Sequence, residues 1–352
     1  MPNSDLSQLF PMESPERSDK FQFRIWLPSF ALVTVLVIGI FIAALQPVST
    51  EGIALDRVIT IPPGLTGIEI ANLLHENGII KDANLFRFLL RVTQTDAELQ
   101  AGHYLLSPAM RPMEVIETLQ AGEILTYIVS IPEGFELKTI AQTLAYRGLV
   151  DYERFMELAL NAELVYGDNV PLDLPIASLE GYLFPDTYRF AVGQTEEDII
   201  RLMVARFLEV VPPAVEPFLE GTEFTLHEII TLASIVEKEI MVDRERPIVA
   251  SVYLNRLKIG MPLQADPTVR YVMTEDRSRV LYRDLEIDSP YNTYLNRGLP
   301  PGPIASPGLA SIMGVLQPAE TEYLFFVSRR DGTHHFSKTF EEHVQARRTL
   351  GY

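Results

Sequence analysis

The chain has 352 residues, of which 47% are hydrophobic, and a formal net charge of -18. That length is sufficient for one larger or two smaller domains with buried cores. The acidic charge disfavours nucleic acid as a partner, because phosphate backbones repel it. There is no cysteine, which excludes disulfides and thiolate metal sites, and no glycine-rich phosphate-binding loop of a common type. We therefore expect no cofactor.

The first predicted element is a membrane anchor. Residues 25–46 contain no charged side chain and are mostly large and apolar, and the segment is long enough to span a bilayer as one helix. A cleaved signal peptide is the alternative, but the apolar run is longer than usual and the sequence ALQPVST is a poor cleavage site. Basic residues precede the segment and Glu51 and Asp56 follow it. The positive-inside rule therefore predicts a tail at residues 1–24 in the cytoplasm and the rest of the chain on the extracytoplasmic side of the membrane.

After a predicted linker at residues 47–56, the sequence repeats itself. Residues from 59 onward align with residues from 129 onward at an offset of 70 positions, so that Ile61 matches Ile131, Gly64 matches Gly134 and Gly78 matches Gly148. Each copy predicts a short strand, a Pro-x-Gly turn, an amphipathic helix ended by glycine, and a second helix. Such units are typically binding or spacing modules. Neither copy contains a cluster of catalytic residue types, so we predict no chemistry in them.

Outside the repeat, the sequence predicts a mixture of helices and strands, and hence an α+β fold. A strand (AGHYLLS) and a helix (RPMEVIETLQAGE) separate the two copies, and an ordered loop at residues 178–190 leads into another strand. Three helices are predicted at residues 195–210, 225–241 and 245–258. A long irregular stretch follows. Ser306 can then cap a helix that has Pro307 at its first position, RRDG predicts a hairpin, and a last helix is predicted at residues 339–350.

The helix that contains LASIVEKEI has two glutamates at the borders of its apolar face. At about 100° per residue, Glu237 falls on one edge of the apolar stripe and Glu239 on the other, while Lys238 points away. Either carboxyl could lie in a half-buried site that raises its pKa and lets it donate a proton near neutrality. Either could instead be a boundary glutamate that extends to solvent. Periodicity does not distinguish the two residues.

The segments after this helix are rich in polar and aromatic side chains. Asn255 and Arg256 lie on the apolar side of the next helix, where they need hydrogen-bonding partners. A long irregular loop region then contains further polar and aromatic residues: Gln264, Asp266, Tyr291 and Asn292. Long loops of this composition are typical of binding surfaces. Their aromatic rings and amides suit a carbohydrate, although ordinary structural ties remain the alternative for each residue.

The histidines do not predict a metal site. His334 and His335 are adjacent in a predicted strand, so their side chains point to opposite faces. The other histidines show no ligand spacing, and we predict no bound metal. No nucleophile elbow of a serine hydrolase is present.

Five motifs together resemble the endolytic murein transglycosylase family (MltG, or YceG-like). They are EGYLFPDTY, LASIVEKEI, VASVYLNRLKIGMPLQADPTVRY, YNTYLNRGLPPGPIASPG and YLFFVSRRDGTHHFS. The resemblance covers nearly the whole chain. It implies a LysM-like unit at residues 57–125, a second repeat unit at residues 126–160 that joins the catalytic domain, and a mixed α+β catalytic domain at residues 161–352. The first unit matches LysM loosely, so it either binds glycan or only spaces the active site from the membrane.

The resemblance also implies an activity. Such enzymes are membrane-anchored lytic transglycosylases that cleave the bond between N-acetylmuramic acid (MurNAc) and N-acetylglucosamine (GlcNAc) in nascent peptidoglycan strands. They leave 1,6-anhydro-MurNAc ends and terminate strand elongation, and their expected partners are the glycan strands and peptidoglycan synthases. The family's catalytic glutamate matches Glu239. The residues that we assign to substrate binding are Glu237, Glu180, Asn255, Arg256, Gln264, Asp266, Tyr291 and Asn292.

Two alternatives remain open for the sequence. A non-catalytic glycan-binding scaffold of the cell-wall synthesis machinery would keep the fold without the activity, although the presence of Glu237, Glu239, Asn255 and Gln264 argues against it. An ordinary hydrolase would use two carboxylates, and Glu180 is then the candidate partner of the catalytic glutamate.

Overall fold

The computed structural model describes residues 32, 34, 35, 39, 42–49, 55–275, 277 and 279–352. Within that part of the chain, no helix is both long enough and apolar enough to cross a membrane. The predicted tail at residues 1–24 lies outside the described residues, and most of the predicted anchor at residues 25–46 does too.

The chain divides into two units, residues 1–125 and residues 126–352. The described elements of the first unit are β1 (Arg57–Ile61), α1 (Gly67–Glu76), α2 (Ala83–Thr93), β2 (Gly102–Leu106) and α3 (Pro112–Ala121). The two strands are antiparallel, with Ile59 opposite Tyr104. Both of these side chains are buried in an apolar core shared with the three helices.

The second unit contains the rest of the described elements. They are β3 (Thr126–Ser130), α4 (Leu137–Tyr146), α5 (Tyr152–Ala159), α6 (Ala162–Tyr166), β4 (Thr187–Ala191), α7 (Glu196–Leu219), α8 (Leu226–Glu239), α9 (Arg246–Lys258), α10 (Asp266–Val272), α11 (Leu309–Leu316), β5 (Phe325–Ser328), β6 (His334–Ser337) and α12 (Phe340–Leu350). Short 3₁₀ turns lie at Asp243–Glu245 and Tyr282–Glu286. Strand β3 pairs with β4, and β5 pairs with β6, both antiparallel. The predicted α+β class is confirmed.

The internal sequence repeat corresponds to a repeated arrangement of strand, turn and helix in the structure. Helices α1 and α4 begin at residues 67 and 137 and end at residues 76 and 146, which is the offset of 70 seen in the sequence. The turn glycines Gly64 and Gly134 have φ of 84° and 77°, and the glycines after the helices, Gly78 and Gly148, have φ of 66° and 69°. Glycine is required there because other residues rarely adopt a positive φ. In each copy the strand pairs antiparallel with a later strand, β2 or β4.

Helix α7 continues beyond its predicted end. The sequence predicts an end at residue 210, before Pro212 and Pro213, but the helix runs to Leu219 and contains three prolines. Each proline removes a helical hydrogen bond and disfavours the helix. The apolar stripe of the helix nevertheless continues through Phe207, Val211 and Val215, all of which are buried. Burial of these side chains offsets the cost of the prolines.

The same helix joins the two apolar cores of the second unit. Its first half, which includes Ile199 and Met203, packs with α4, α5 and β4. Its second half, which includes Phe207, Val211 and Val215, packs with α8, α9 and α11. Helix α7 therefore connects the second copy of the repeat with α8, which carries the LASIVEKEI segment, and with the helices packed around it.

The start of helix α11 differs from the prediction. Its N-cap is Gly308 rather than Ser306. The N–H of Ser306 donates to the Phe135 carbonyl at 2.8 Å, and the Ser306 carbonyl accepts from the N–H of Gly134 at 2.8 Å. The predicted cap was wrong because these backbone bonds to the turn between β3 and α4 hold Ser306 in an extended segment.

We expect Val211→Ala to lower the free energy of unfolding by about 2 kcal/mol, because it leaves a cavity in the apolar core that α7 shares with α8, α9 and α11. Urea denaturation of the purified protein measures the change. Glu216→Ala, at an exposed position of the same helix, is the control and should change stability by less than about 0.5 kcal/mol. Equal effects of the two substitutions would show that the second half of α7 does not contribute to the core.

Candidate active site

The last turn of α8 presents three consecutive side chains to three different neighbours. Residues in a helix follow one another at about 100°, so Glu237, Lys238 and Glu239 diverge. Lys238 Nζ donates to the Gly134 carbonyl at 3.1 Å and to Glu136 at 3.3 Å. The lysine therefore joins α8 to the turn before α4, and the two glutamates lie on either side of it.

Glu237 belongs to a buried ion pair. Its Oε1 accepts a hydrogen bond from Nη1 of Arg246 at 2.9 Å, and the two side chains are only 7% and 9% exposed. Its Oε2 accepts from the N–H of Gly308 at 3.0 Å, at the start of α11. Arg246 also donates to Ser311 on α11. Both carboxylate oxygens of Glu237 are thus engaged in contacts that join α8, α9 and α11.

Glu239 has a different environment. It is the last residue of α8, and its Oε1 accepts a hydrogen bond from the hydroxyl of Tyr253 on α9 at 2.9 Å. It forms no ion pair with any described residue. The end of a helix carries a partial negative charge, which disfavours an ionised carboxyl at this position.

Burial raises the pKa of Glu239 to about 7. The Tyr253 hydrogen bond opposes this shift, the charge of Asp266 adds to it, and the charges of Arg256 and Arg270 lower the pKa. A carboxyl with this pKa is present in both protonation states near neutral pH. It can therefore donate a proton and later accept one.

Glu239 lies in a cleft formed by two cavities. The larger has a volume of about 870 Å³ and the smaller about 340 Å³, and Glu239, Asp266, Tyr294 and Arg347 line both. We call the two cavities together the Glu239 cleft. The smaller cavity is also lined by the aromatic rings of Phe325, Phe326 and Phe340. Exposed ring faces beside polar groups can bind a sugar by stacking and hydrogen bonding.

Four of the nine predicted site residues line the Glu239 cleft: Glu239, Arg256, Gln264 and Asp266. Gln264 is exposed and has a φ of 47°, a conformation that is strained for a residue with a side chain. Such strain is concentrated at functional sites. Asp266 accepts a hydrogen bond from the Tyr294 hydroxyl at 2.6 Å. Arg256 donates to the backbone carbonyls of Leu263 and Leu324, each at 2.6 Å, so its guanidinium also holds the wall of the cleft.

The other five predicted residues, Glu180, Glu237, Asn255, Tyr291 and Asn292, do not line either cavity. The Asn255 amide donates to the carbonyls of Thr321 and Tyr323. The Asn292 amide is fully buried and donates to the carbonyls of Leu285 and Ile287. The ring of Tyr291 packs on that of Tyr271, with 5.0 Å between centroids. These contacts fold the loops that surround the cleft.

Glu180 is buried at the interface of α4 and α10. It accepts hydrogen bonds from the N–H of Leu137 at 3.0 Å and from the hydroxyl of Tyr271 at 3.2 Å. Burial raises its pKa to about 8, while the Leu137 bond opposes that shift. Because α10 also carries Asp266, Glu180 ties one wall of the Glu239 cleft to the second copy of the repeat.

Several residues of the cleft were not among the predicted site residues. Tyr253 precedes Arg256 by one helical turn on α9, so both lie on the same face of the helix. This spacing could have predicted that Tyr253 also lines the cleft. Tyr294 belongs to the YNTY segment, where the sequence favours an aromatic binding loop without showing which tyrosine enters the cleft. Arg270 and Arg347 lie far apart in sequence. Among the described residues, no group of three or more His, Asp or Glu side chains could hold a metal ion.

We expect Glu237→Gln to lower the free energy of unfolding by about 3 kcal/mol. Arg246 loses its buried anionic partner and retains only the more exposed carboxylates of Asp243 and Glu133 among the described residues. Glu239→Gln is the matched control on the same turn. It removes a carboxyl that is already costly to ionise, so it should not destabilise the protein. Urea denaturation of both variants at neutral pH measures the difference. A greater loss of stability in Glu239→Gln would contradict this division between the two glutamates.

The sequence pattern of the YceG-like family matches residues 59–349 of the chain. This span begins within β1 and ends within α12, so it includes both copies of the repeat and every residue of the Glu239 cleft named above. The match confirms the resemblance that the five sequence motifs indicated.

Relatives and a solved structure extend the comparison. A Bacillus subtilis (strain 168) protein named endolytic murein transglycosylase is 35% identical over 303 residues, which cover 82% of this chain and 83% of that protein. A Streptococcus pneumoniae (serotype 2, strain D39) protein of the same name is 30% identical over 313 residues, which cover 81% of this chain but only 56% of that protein.

A crystal structure of a yceG-like protein from Listeria monocytogenes superposes with a TM-score of 0.57 at 35% identity, covering 83% of this chain and 99% of that one. The fold of this chain is therefore similar to that of a crystal structure whose sequence is 35% identical. Because the family pattern and the Bacillus subtilis relative both match most of its length, this chain belongs to the YceG-like family.

Proposed function

We propose that this chain is an endolytic murein transglycosylase, a lyase that cuts peptidoglycan strands internally between MurNAc and GlcNAc. The observation that carries the proposal is the environment of Glu239, a carboxyl with a pKa raised to about 7 in a cleft lined by aromatic and polar side chains. The names of the Bacillus subtilis and Streptococcus pneumoniae relatives support the same activity.

In the proposed reaction, Glu239 acts first as an acid and then as a base. Its proton passes to the glycosidic oxygen while the bond from that oxygen to C1 of the muramyl sugar breaks, and the GlcNAc end leaves with a free hydroxyl. The carboxylate then accepts the proton of the muramyl 6-hydroxyl, whose oxygen bonds to C1. The product is a 1,6-anhydro-MurNAc end, and no water is consumed. One tuned carboxyl is sufficient, unlike in two-carboxylate hydrolysis.

We assign roles to the remaining predicted residues according to whether they line the cleft. Gln264 and Asp266 contact the strand, and the hydrogen bond from Tyr294 orients Asp266 for that contact. Arg256 lines the cleft and also holds its wall through Leu263 and Leu324. The roles proposed for the other residues are to position these walls: Glu180, Glu237, Asn255, Tyr291 and Asn292.

We further propose that residues 25–46 anchor the protein in the cytoplasmic membrane, with residues 1–24 in the cytoplasm and the catalytic domain, residues 161–352, on the extracytoplasmic side. The long uncharged apolar segment supports the anchor. Residues 57–125 form a LysM-like unit and residues 126–160 a second repeat unit. An enzyme held close to the membrane would meet nascent strands beside peptidoglycan synthases and terminate their elongation.

Product analysis tests the proposed reaction. We expect the wild type to release fragments whose masses correspond to 1,6-anhydro-MurNAc ends when it digests purified glycan strands. Glu239→Gln should lower the rate at least about 100-fold, because general acid–base catalysis contributes on that order. Glu216→Gln, at an exposed position of α7 that lines neither cavity, is the control and should retain full activity.

Other products of that digestion would indicate a different reaction or a different catalytic residue. Reducing ends would show hydrolysis. Because Glu180 does not line the cleft, Asp266 would then replace it as the candidate second carboxylate. No cleavage by the wild type would favour a glycan-binding scaffold. Full activity in Glu239→Gln would show that a different residue is the acid.

The pH profile tests the state of Glu239. Because the acid form starts the reaction, kcat/KM should fall as the pH rises through about 7. The Tyr253 hydroxyl lowers the pKa of Glu239 by hydrogen bonding to it, so Tyr253→Phe should raise that pKa and move the alkaline limb to higher pH. Tyr146→Phe, at an exposed position of α4, is the control. A shift to lower pH in Tyr253→Phe would contradict the assignment.

A further inference from the structure

The larger cavity of the Glu239 cleft is rich in basic side chains, although the chain has a net charge of -18. Four basic residues line it: Lys238, Arg270, Arg279 and Arg347. Among the described residues, two carboxyls, those of Glu239 and Asp266, line the same cavity. A cleft lined mainly by one sign of charge concentrates ligands of the opposite sign.

Three of these basic residues have no anionic partner in the described part of the chain. Lys238 is held by Gly134 and Glu136. Arg270, Arg279 and Arg347 are exposed, and none forms an ion pair or a side-chain hydrogen bond with a described residue. Arg270 acts on Glu239 by its charge alone. The three arginines come from α10, from the loop after it and from α12, so the fold brings to one cavity three cations that pair with no described carboxylate.

We propose that Arg270, Arg279 and Arg347 bind the carboxylate groups of the peptide stems on the glycan strand. The inference rests on the function proposed above. If Glu239 cuts at the muramyl sugar, that sugar lies beside it, and the lactyl group of the same sugar carries the peptide stem. Glu239 lines both cavities of the cleft, and we place the stem in the larger one, which the three arginines line. Arginine suits a carboxylate because its planar guanidinium donates two parallel hydrogen bonds.

A nascent strand carries a second kind of anion, the pyrophosphate of its lipid carrier. That group is attached at the end of the strand. An internal cut places it at least one disaccharide beyond the reacting sugar, so the stem of the reacting sugar is the nearer anion. The structure therefore favours the stem carboxylates, and the pyrophosphate becomes an alternative outcome of the experiment.

The test compares two substrates with the full-length protein. One is purified strands that bear peptide stems, and the other is the same strands after an amidase has removed the stems. We expect the wild type to have the higher kcat/KM on stem-bearing strands, with a preference that weakens as salt is added. Replacing Arg270, Arg279 and Arg347 together by Gln should reduce this preference about tenfold, which is the order expected for three exposed ion pairs. A changed pKa of Glu239 would affect the cleavage of both substrates equally. The ratio of the two kcat/KM values is therefore independent of any effect of Arg270 on that pKa.

Arg348→Gln is the matched control, because Arg348 is an exposed neighbour on α12 that does not line either cavity. It should leave the preference unchanged. An unchanged preference in the triple variant would overturn the proposal. A third substrate, stem-bearing strands still linked to the lipid carrier, separates the two anions: if the triple variant loses only a preference for lipid-linked over released strands, the arginines bind pyrophosphate and the proposal is wrong. Failure of the wild type to cleave any substrate would instead refute the proposed function.

Discussion

The buried ion pair between Glu237 and Arg246 is the constraint on which the rest of the site depends. It joins the end of α8 to the start of α9, and through Gly308 and Ser311 it also fixes the start of α11. A buried arginine needs its anionic partner, so the orientation of the last turn of α8 is strongly determined. Once Glu237 is committed to this pair, helical geometry turns Glu239 to the other side, toward Tyr253 and the cleft.

The two glutamates therefore differ in chemistry although they are two residues apart. Glu237 is paired with the guanidinium of Arg246 and accepts a hydrogen bond from the N–H of Gly308. Glu239 has loss of hydration, a neighbouring carboxyl and the negative end of a helix, opposed by one tyrosine hydroxyl and more distant arginines. Glu239 is thus suited to act as an acid because the fold partly buries its carboxyl and no described cation forms an ion pair with it. Arg270, Arg279 and Arg347, which pair with no described carboxylate, line the larger cavity.

Local patterns predicted much of the fold. The repeat at an offset of 70, the helix predicted at residues 225–241, and the hairpin around RRDG all follow from short-range chemistry, and the structure contains each of them. Two predictions failed where distant contacts outweighed local preference. Helix α7 continues through Pro212 and Pro213 because its buried stripe spans two cores, and Ser306 does not cap α11 because the turn before α4 holds its backbone.

The sequence by itself determined the family, the helix that carries the two glutamates, and the composition of the loops that surround the cleft. It could not assign the partners of individual polar residues, because those partners come from segments far apart in the chain. Tyr253 and Asp266 reach Glu239 only after α8, α9 and α10 have packed, while Asn255 and Asn292 turn toward backbone carbonyls instead. The choice between Glu237 and Glu239 on physical grounds was likewise decided by tertiary structure, since one helix face met Arg246 and the other met a cavity.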